Sequence, residues 1–155
     1  MKKIVDILIA RKETIATMES CTGGGVANAI TNIPGASEII KFSAVTYSNE
    51  YKIKMGVSAD TIDTYSVYSE EVAREMSKKI SLFADSTYGI GVTGKIGRED
   101  PNNLRGDVNI IFVSIYQKEK DNYFTKKIEV PLLKRSECKE IIIEEIEKIL
   151  LSILK

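Results

Sequence analysis

Histidine is absent from the 155 residues of this chain. Its absence excludes a Ser-His-Asp set, a Cys-His pair and any histidine-ligated zinc site. A proton acceptor near neutral pH must then be Lys, Asp, Glu, Tyr or Cys. Cysteine is scarce: Cys21 and Cys138 are the only two. Two thiolates cannot build an all-cysteine zinc site, and two distant cysteines in a chain with its own core do not make a disulfide scaffold. No metal or cofactor is expected. Neither sign of charge predominates, since 22 Lys+Arg balance 22 Asp+Glu. Nucleic acid and anionic membranes are therefore not expected partners. No apolar run reaches the roughly 18 residues of a membrane span. Residues 1–10 run from basic to apolar, but Asp6 interrupts them, Arg11 and Lys12 follow, and no small-residue cleavage site appears. They read as a first helix rather than a signal peptide, and the cytoplasm is the expected compartment. Repeats and linker-like stretches are also missing. A single domain over residues 1–155 is expected, and 43% apolar with 28% charged residues fits a packed globular chain.

What is present is an alternation of helical and extended patterns. A helix is expected over residues 3–12 and a β-branched strand over 14–18. Ser20-Cys21-Thr22-Gly23-Gly24-Gly25 breaks that strand, and a helix follows until Pro34-Gly35. Residues 39–47 predict a second strand, with a short helix from Ser48-Asn49 to Met55-Gly56. Ser69 is an N-cap with Glu70 and Glu71 behind it, and Val72, Met76, Ile80 and Phe83 recur at helical spacing. Residues 88–93 predict a third strand. A polar loop over 94–106 precedes two strands, 108–116 and 123–130, that read as a hairpin. Ile142, Ile146, Ile149 and Ile153 mark a closing amphipathic helix. The order α-β-α-β-α-β-β-β-α predicts a layered α/β domain with at least one antiparallel strand.

Three segments carry the chemical candidates. Glu19-Ser20-Cys21-Thr22-Gly23-Gly24 joins a strand to a helix. Its glycines permit a sharp turn, and free amides at a helix start suit a phosphate or the oxyanion of a serine attack. A plain helix cap is the alternative, as the segment is neither a P-loop nor a dinucleotide fingerprint. Cys21 is either a second nucleophile or a small apolar side chain beneath the turn. Thr46-Tyr47-Ser48-Asn49-Glu50-Tyr51-Lys52 sits at a strand end, where α/β sites gather. Tyr47 and Lys52 are acid/base candidates there. Lys52 can accept a proton only if burial or a neighbouring cation lowers its pKa from about 10.4 to roughly 7–8; a solvated surface lysine is the alternative. The third segment is the long loop. Thr93-Gly94-Lys95-Ile96-Gly97 opens it, with Arg98 and Arg105 nearby, while Lys134, Arg135 and Lys139 open the last helix. These cations suit a phosphate, Arg best, or form a solvated charged face.

Taken together, these segments resemble one family, the CinA carboxy-terminal domain, whose stand-alone members include nicotinamide mononucleotide deamidases. The resemblance spans nearly the whole chain. It rests on Glu19-Ser20-Cys21-Thr22-Gly23-Gly24, on Ile33-Pro34-Gly35-Ala36-Ser37, and on Val45-Thr46-Tyr47-Ser48-Asn49-Glu50-Tyr51-Lys52, with Tyr51 where the family usually has Ala. Gly56-Val57 and Ser69-Glu70-Glu71-Val72-Ala73 add to it. The resemblance implies a three-layer α/β/α fold with a mixed, mostly parallel five-stranded sheet. It implies hydrolysis of the carboxamide of nicotinamide mononucleotide to nicotinate mononucleotide and ammonia. Ser20 would be the nucleophile, Lys52 the base and Tyr47 a partner in the proton transfers, an arrangement that needs no histidine. Cys21, Thr22, Gly23, Gly24, Thr93, Gly94 and Arg135 are the expected substrate-binding residues, the turn amides from Cys21 to Gly24 serving the oxyanion. A homodimer or higher homo-oligomer is expected. The departures fall in the long loop. Thr93, Gly94, Gly97 and Gly106 are kept, but Lys95-Ile96 and Arg98 stand where the family's T/S-G-I-A-G-P has I-A and P. Glu99 and Asp100 stand where glycines follow, Asp107 replaces a Thr, and Lys139 replaces a later arginine. The alternatives are an amidase of the same fold with another substrate and a non-catalytic nucleotide-binding domain.

Overall fold

A computed structural model describes all residues 1–155. Helix α1 (Lys2–Arg11) leads into β1 (Ile15–Glu19), α2 (Gly25–Thr31), a 3-10 turn at Ala36–Glu38 and β2 (Ile40–Val45). Three helices follow: α3 (Asn49–Lys54), α4 (Ala59–Tyr65) and α5 (Glu70–Ala84). Then come β3 (Tyr88–Gly94), β4 (Ile110–Gln117), β5 (Asn122–Glu129) and α6 (Arg135–Ile153). The sheet order is β2-β1-β3-β4-β5. β1 pairs in parallel with β2 and β3, while β3–β4 and β4–β5 are antiparallel. Four strands therefore share one direction and β4 alone opposes them, as the mixed, mostly parallel expectation has it.

Helices cover both faces, giving three layers. On one face Ile4, Val5 and Leu8 of α1, Val26 and Ile30 of α2, and Cys138, Ile142, Ile146 and Leu150 of α6 pack on Ile90, Ile111, Val113 and Ile115. On the other, Val72, Met76 and Ile80 of α5 and Ile62 of α4 pack on Ala16 and Met18. Each fully buried Ile or Leu contributes about 1.5–3 kcal/mol. α5 lies directly on β3 because Gly89 and Gly91 have no side chain; a Cβ at either would collide with the Ser77 or Ala73 carbonyl oxygen.

Four details differ from the sequence expectations. α4 was not foreseen; Asp60, Thr61, Asp63 and Thr64 mask its helical period with poor helix formers. Its Ser58 cap, accepting from the Thr61 amide at 3.3 Å, starts it nonetheless. β2 stops at Val45, although the Thr46 amide still donates to the Glu19 carbonyl at 2.8 Å. β4 starts at Ile110, with only an isolated Lys95–Val108 bridge before it. Phe83 belongs to the periodic row of α5 but is exposed, its ring 4.9 Å from that of Phe42 on β2. It lies in the last turn of α5, beside the edge strand β2. No helix is long and apolar enough to cross a membrane.

Candidate active site

The carboxyl ends of the parallel strands β1, β2 and β3 meet at one end of the sheet, the place where open α/β sheets leave a crevice. Ser20 is the first residue after β1. Its amide donates to the Val92 carbonyl at 3.1 Å, which fixes the start of the turn to β3. Lys52 reaches it from α3, a helix capped by the Ser48 hydroxyl, which accepts from the Tyr51 amide. The Lys52 ammonium lies 3.1 Å from Ser20 Oγ and donates to the Thr46 carbonyl at 2.8 Å. Lys52 is 2% exposed and Ser20 6%. Burial lowers the Lys52 pKa to about 8, against the opposing pull of Cys21 and Asp100. The solvated-lysine alternative is thereby removed.

The turn after Ser20 is built around Glu19, which is fully buried. One carboxylate oxygen accepts from Thr22 Oγ1 at 2.6 Å and from the amides of Gly24 and Val26 at 3.1 and 3.0 Å. The other accepts from Thr17 Oγ1 and from the Ala27 amide at 2.9 Å. Glu19 thus satisfies the first turn of α2, whose cap residue, Gly24, has no side chain to do so. Gly23 and Gly24 take positive φ of 61° and 93°, which lets the chain fold back over the carboxylate.

This arrangement revises the expected substrate-binding set. The Thr22 hydroxyl and the Gly24 amide are held by Glu19, and the Gly23 amide donates to the Ser20 carbonyl at 2.9 Å. Of the turn amides, only those of Cys21 and Thr22 make no hydrogen bond within the protein. Thr93 is also unavailable: it is fully buried and its hydroxyl donates to the Val67 carbonyl at 2.9 Å. Gly94 lines the pocket, but its lack of a side chain also serves packing, since a Cβ there would press on Ile111 and the Ile110 carbonyl. Cys21 lines the pocket as well. Burial pushes its thiol up to about 12, although Lys52 and Arg135 oppose the shift. A thiol held protonated in this way is a poor nucleophile.

Ser20 and Cys21 open onto a concavity of about 390 Å³. Tyr47 stands at its rim, 64% exposed, with its hydroxyl accepting from Arg135 at 3.3 Å. It is hydrogen-bonded to neither Ser20 nor Lys52. Arg135 also donates to the Ile96 carbonyl, bridging the start of α6 to the long loop. Arg98 lines the same concavity and pairs with no carboxylate. Lys139, one turn beyond Arg135, lies over the nucleophile turn, its ammonium 3.3 Å from where a Gly23 Cβ would be. No group of three His, Cys, Asp or Glu side chains is arranged to hold a metal ion.

Asn49, Tyr68, Asp100 and Asn103 also line the pocket and lie outside the expected set of site residues. Asn49 and Asn103 are joined by a 2.7 Å side-chain bond, and Tyr68 donates to Asp100. Burial, followed by that bond, pushes the Tyr68 phenol up. Asn49 lies inside the second motif and was within reach of pattern reasoning. The others meet only through the fold.

Residues 1–153 match the CinA C-terminal domain. The chain belongs to that family. A CinA-like protein of Desulforapulum autotrophicum is 46% identical over 92 residues, which cover 59% of this chain and 22% of that protein. A CinA-like protein of Endomicrobium trichonymphae is 38% identical over 119 residues, covering 76% of this chain and 28% of the relative. The chain thus spans about a quarter of the length of these curated relatives. Crystal structures of CinA superfamily proteins from Klebsiella pneumoniae and Escherichia coli both superpose with a TM-score of 0.89, at 23% and 24% identity. They cover 99% and 98% of this chain, which covers 94% and 87% of theirs. At that identity they speak for the CinA fold alone.

Proposed function

We propose that this CinA domain hydrolyses the carboxamide of nicotinamide mononucleotide, giving nicotinate mononucleotide and ammonia. The observation that carries this reading is the buried Lys52 ammonium 3.1 Å from Ser20 Oγ, with its pKa lowered to about 8. Neutral Lys52 takes the Ser20 hydroxyl proton as Oγ bonds to the amide carbon. The Cys21 and Thr22 amides donate to the resulting oxyanion. Collapse breaks the C–N bond, and Lys52 returns the proton to the departing ammonia. Water then attacks the acyl ester, giving up its proton to Lys52, and Ser20 leaves as the free hydroxyl. Arg135 and Arg98 suit the substrate phosphate, with Tyr47 beside Arg135 shaping the mouth.

Ammonia release from nicotinamide mononucleotide, nicotinamide riboside and free nicotinamide tests the proposal. Release from the mononucleotide, with little or none from the other two, is expected. Release from a different amide would assign another substrate to the same machinery. Saturable nucleotide binding without ammonia from folded protein would make the domain a binding module.

A further inference from the structure

Lys95 is the second lysine buried at this end of the sheet, and it does different work. Its side chain is 1% exposed. An ammonium has three N–H donors, and here they meet Glu99 at 2.7 Å, the Leu104 carbonyl at 3.2 Å and the Gly106 carbonyl at 2.8 Å. No donor is left for a ligand, so Lys95 is not an anion-binding cation. It ties residues 99, 104 and 106 to the end of β3.

Asp100 and Asn103 lie between those ties. Asp100 Oδ2 accepts from Tyr68 and from Asn103 Nδ2 at 2.9 Å, and Oδ1 accepts from the Asn102 amide at 2.9 Å. Burial pushes the Asp100 carboxyl up, but these bonds and the Lys95 charge prevail and hold it below the ordinary value. Asn103 in turn accepts from Asn49 at the start of α3, the helix that carries Lys52. The result is a continuous polar wall, Asn49–Asn103–Asp100–Tyr68, lining the concavity that Ser20 opens onto. A carboxylate repels phosphate and welcomes hydroxyl donors, and Oδ1 keeps an acceptor position free. Arg98 and Arg135, which line the same concavity, have the opposite preference.

We propose that this wall reads the ribose hydroxyls of the substrate, with Asp100 as acceptor and Lys95 as the positioning residue that holds the loop in place. The inference rests on the amidase reading for its substrate. The wall fixes the ligand's orientation, ribose toward Asp100 and phosphate toward the two arginines.

Two measurements on the full chain test it. In ammonia release from nicotinamide mononucleotide, Asp100→Asn is expected to raise KM tenfold or more with less than a threefold fall in kcat. Lys95→Met gives the same split and faster amide hydrogen exchange over residues 99–106. In calorimetry, Asp100→Asn weakens nicotinate mononucleotide at least tenfold and leaves inorganic phosphate within twofold. A fall in kcat at unchanged KM, or equal weakening of both ligands, overturns the proposal. If Lys95→Met does not fold, Asp100→Asn and Asn103→Ala carry the test. If wild-type protein releases no ammonia, the amidase reading falls. The wall is then judged by the calorimetry alone, where unchanged mononucleotide affinity overturns it.

Discussion

Two loops close the pocket, and each is organised around one buried charge of opposite sign. The turn after β1 wraps Glu19, which collects three amides and two hydroxyls. The loop after β3 wraps Lys95, which collects two carbonyls and a carboxylate. The sign follows from which backbone groups each loop turns inward. A chain entering a helix presents unpaired N–H groups and calls for an anion. A chain looping back to a strand presents carbonyls and calls for a cation. The consequence differs too. Glu19 sits one residue from Ser20, the proposed nucleophile, and is expected to act on chemistry; Lys95 sits behind the pocket wall and is expected to act on recognition.

The largest effect expected concerns the pair that the first loop serves. Ser20→Ala, or Lys52→Met at pH 7, should lower kcat by about 10⁴-fold or more, as removal of a nucleophile or its base does elsewhere. Ammonia release at a rate near wild type would remove either residue from its role. Next is Glu19→Gln, which turns an NH₂ group toward backbone donors and leaves at least one unsatisfied. A loss of about 1–3 kcal/mol in denaturant unfolding is expected, with kcat falling roughly 10- to 100-fold at little-changed KM as the nucleophile shifts. If Glu19→Gln instead changed KM alone, as Asp100→Asn should, the contrast between the two loops would collapse.

Lys52 supplies a comparison in stability. Its folded pKa of about 8 lies below the ordinary 10.5, so the unfolded chain binds more protons between those values and stability rises with pH across that window. Below pH 8 the folded protein bears the full burden of a buried charge. Relative to Lys52→Met, wild type should gain up to about 3 kcal/mol between pH 7 and 10.5. A difference that stays constant with pH would contradict a buried, destabilised ammonium. The smallest effect belongs to Cys21→Ala. The proposed mechanism gives its protonated thiol no step, so kcat should stay within threefold and stability fall by about 1–2 kcal/mol. A loss as large as that of Ser20→Ala would reopen Cys21 as nucleophile.

The fold was largely legible because its signals are periodic or punctuating. Ser69 followed by Glu70 and Glu71, the isoleucine row of α6 and the Pro34-Gly35 break each mark an element without reference to the rest of the chain. The Ser20–Lys52 pair was legible as two motifs. Their approach to 3.1 Å was not, because it depends on β1 and β2 lying side by side and on the helix after β2 bringing Lys52 to the end of β1. The roles of Thr22, Gly23, Gly24 and Thr93 were obscured for another reason. A sequence shows which groups can donate a hydrogen bond but not which are already engaged, and Glu19, Ser20 and Val67 engage theirs. Lys95 posed the same difficulty in reverse, looking like a surface cation until its three partners were seen.

The pH dependence of kcat/KM for ammonia release from nicotinamide mononucleotide tests the central claim most directly. Only neutral Lys52 can take the Ser20 proton. The rate should therefore rise about tenfold per pH unit up to pH 8 and level off above it, and the limb should vanish in Lys52→Met. A flat profile between pH 6 and 9, or the same limb in Lys52→Met, would show that the proton leaves Ser20 by another route.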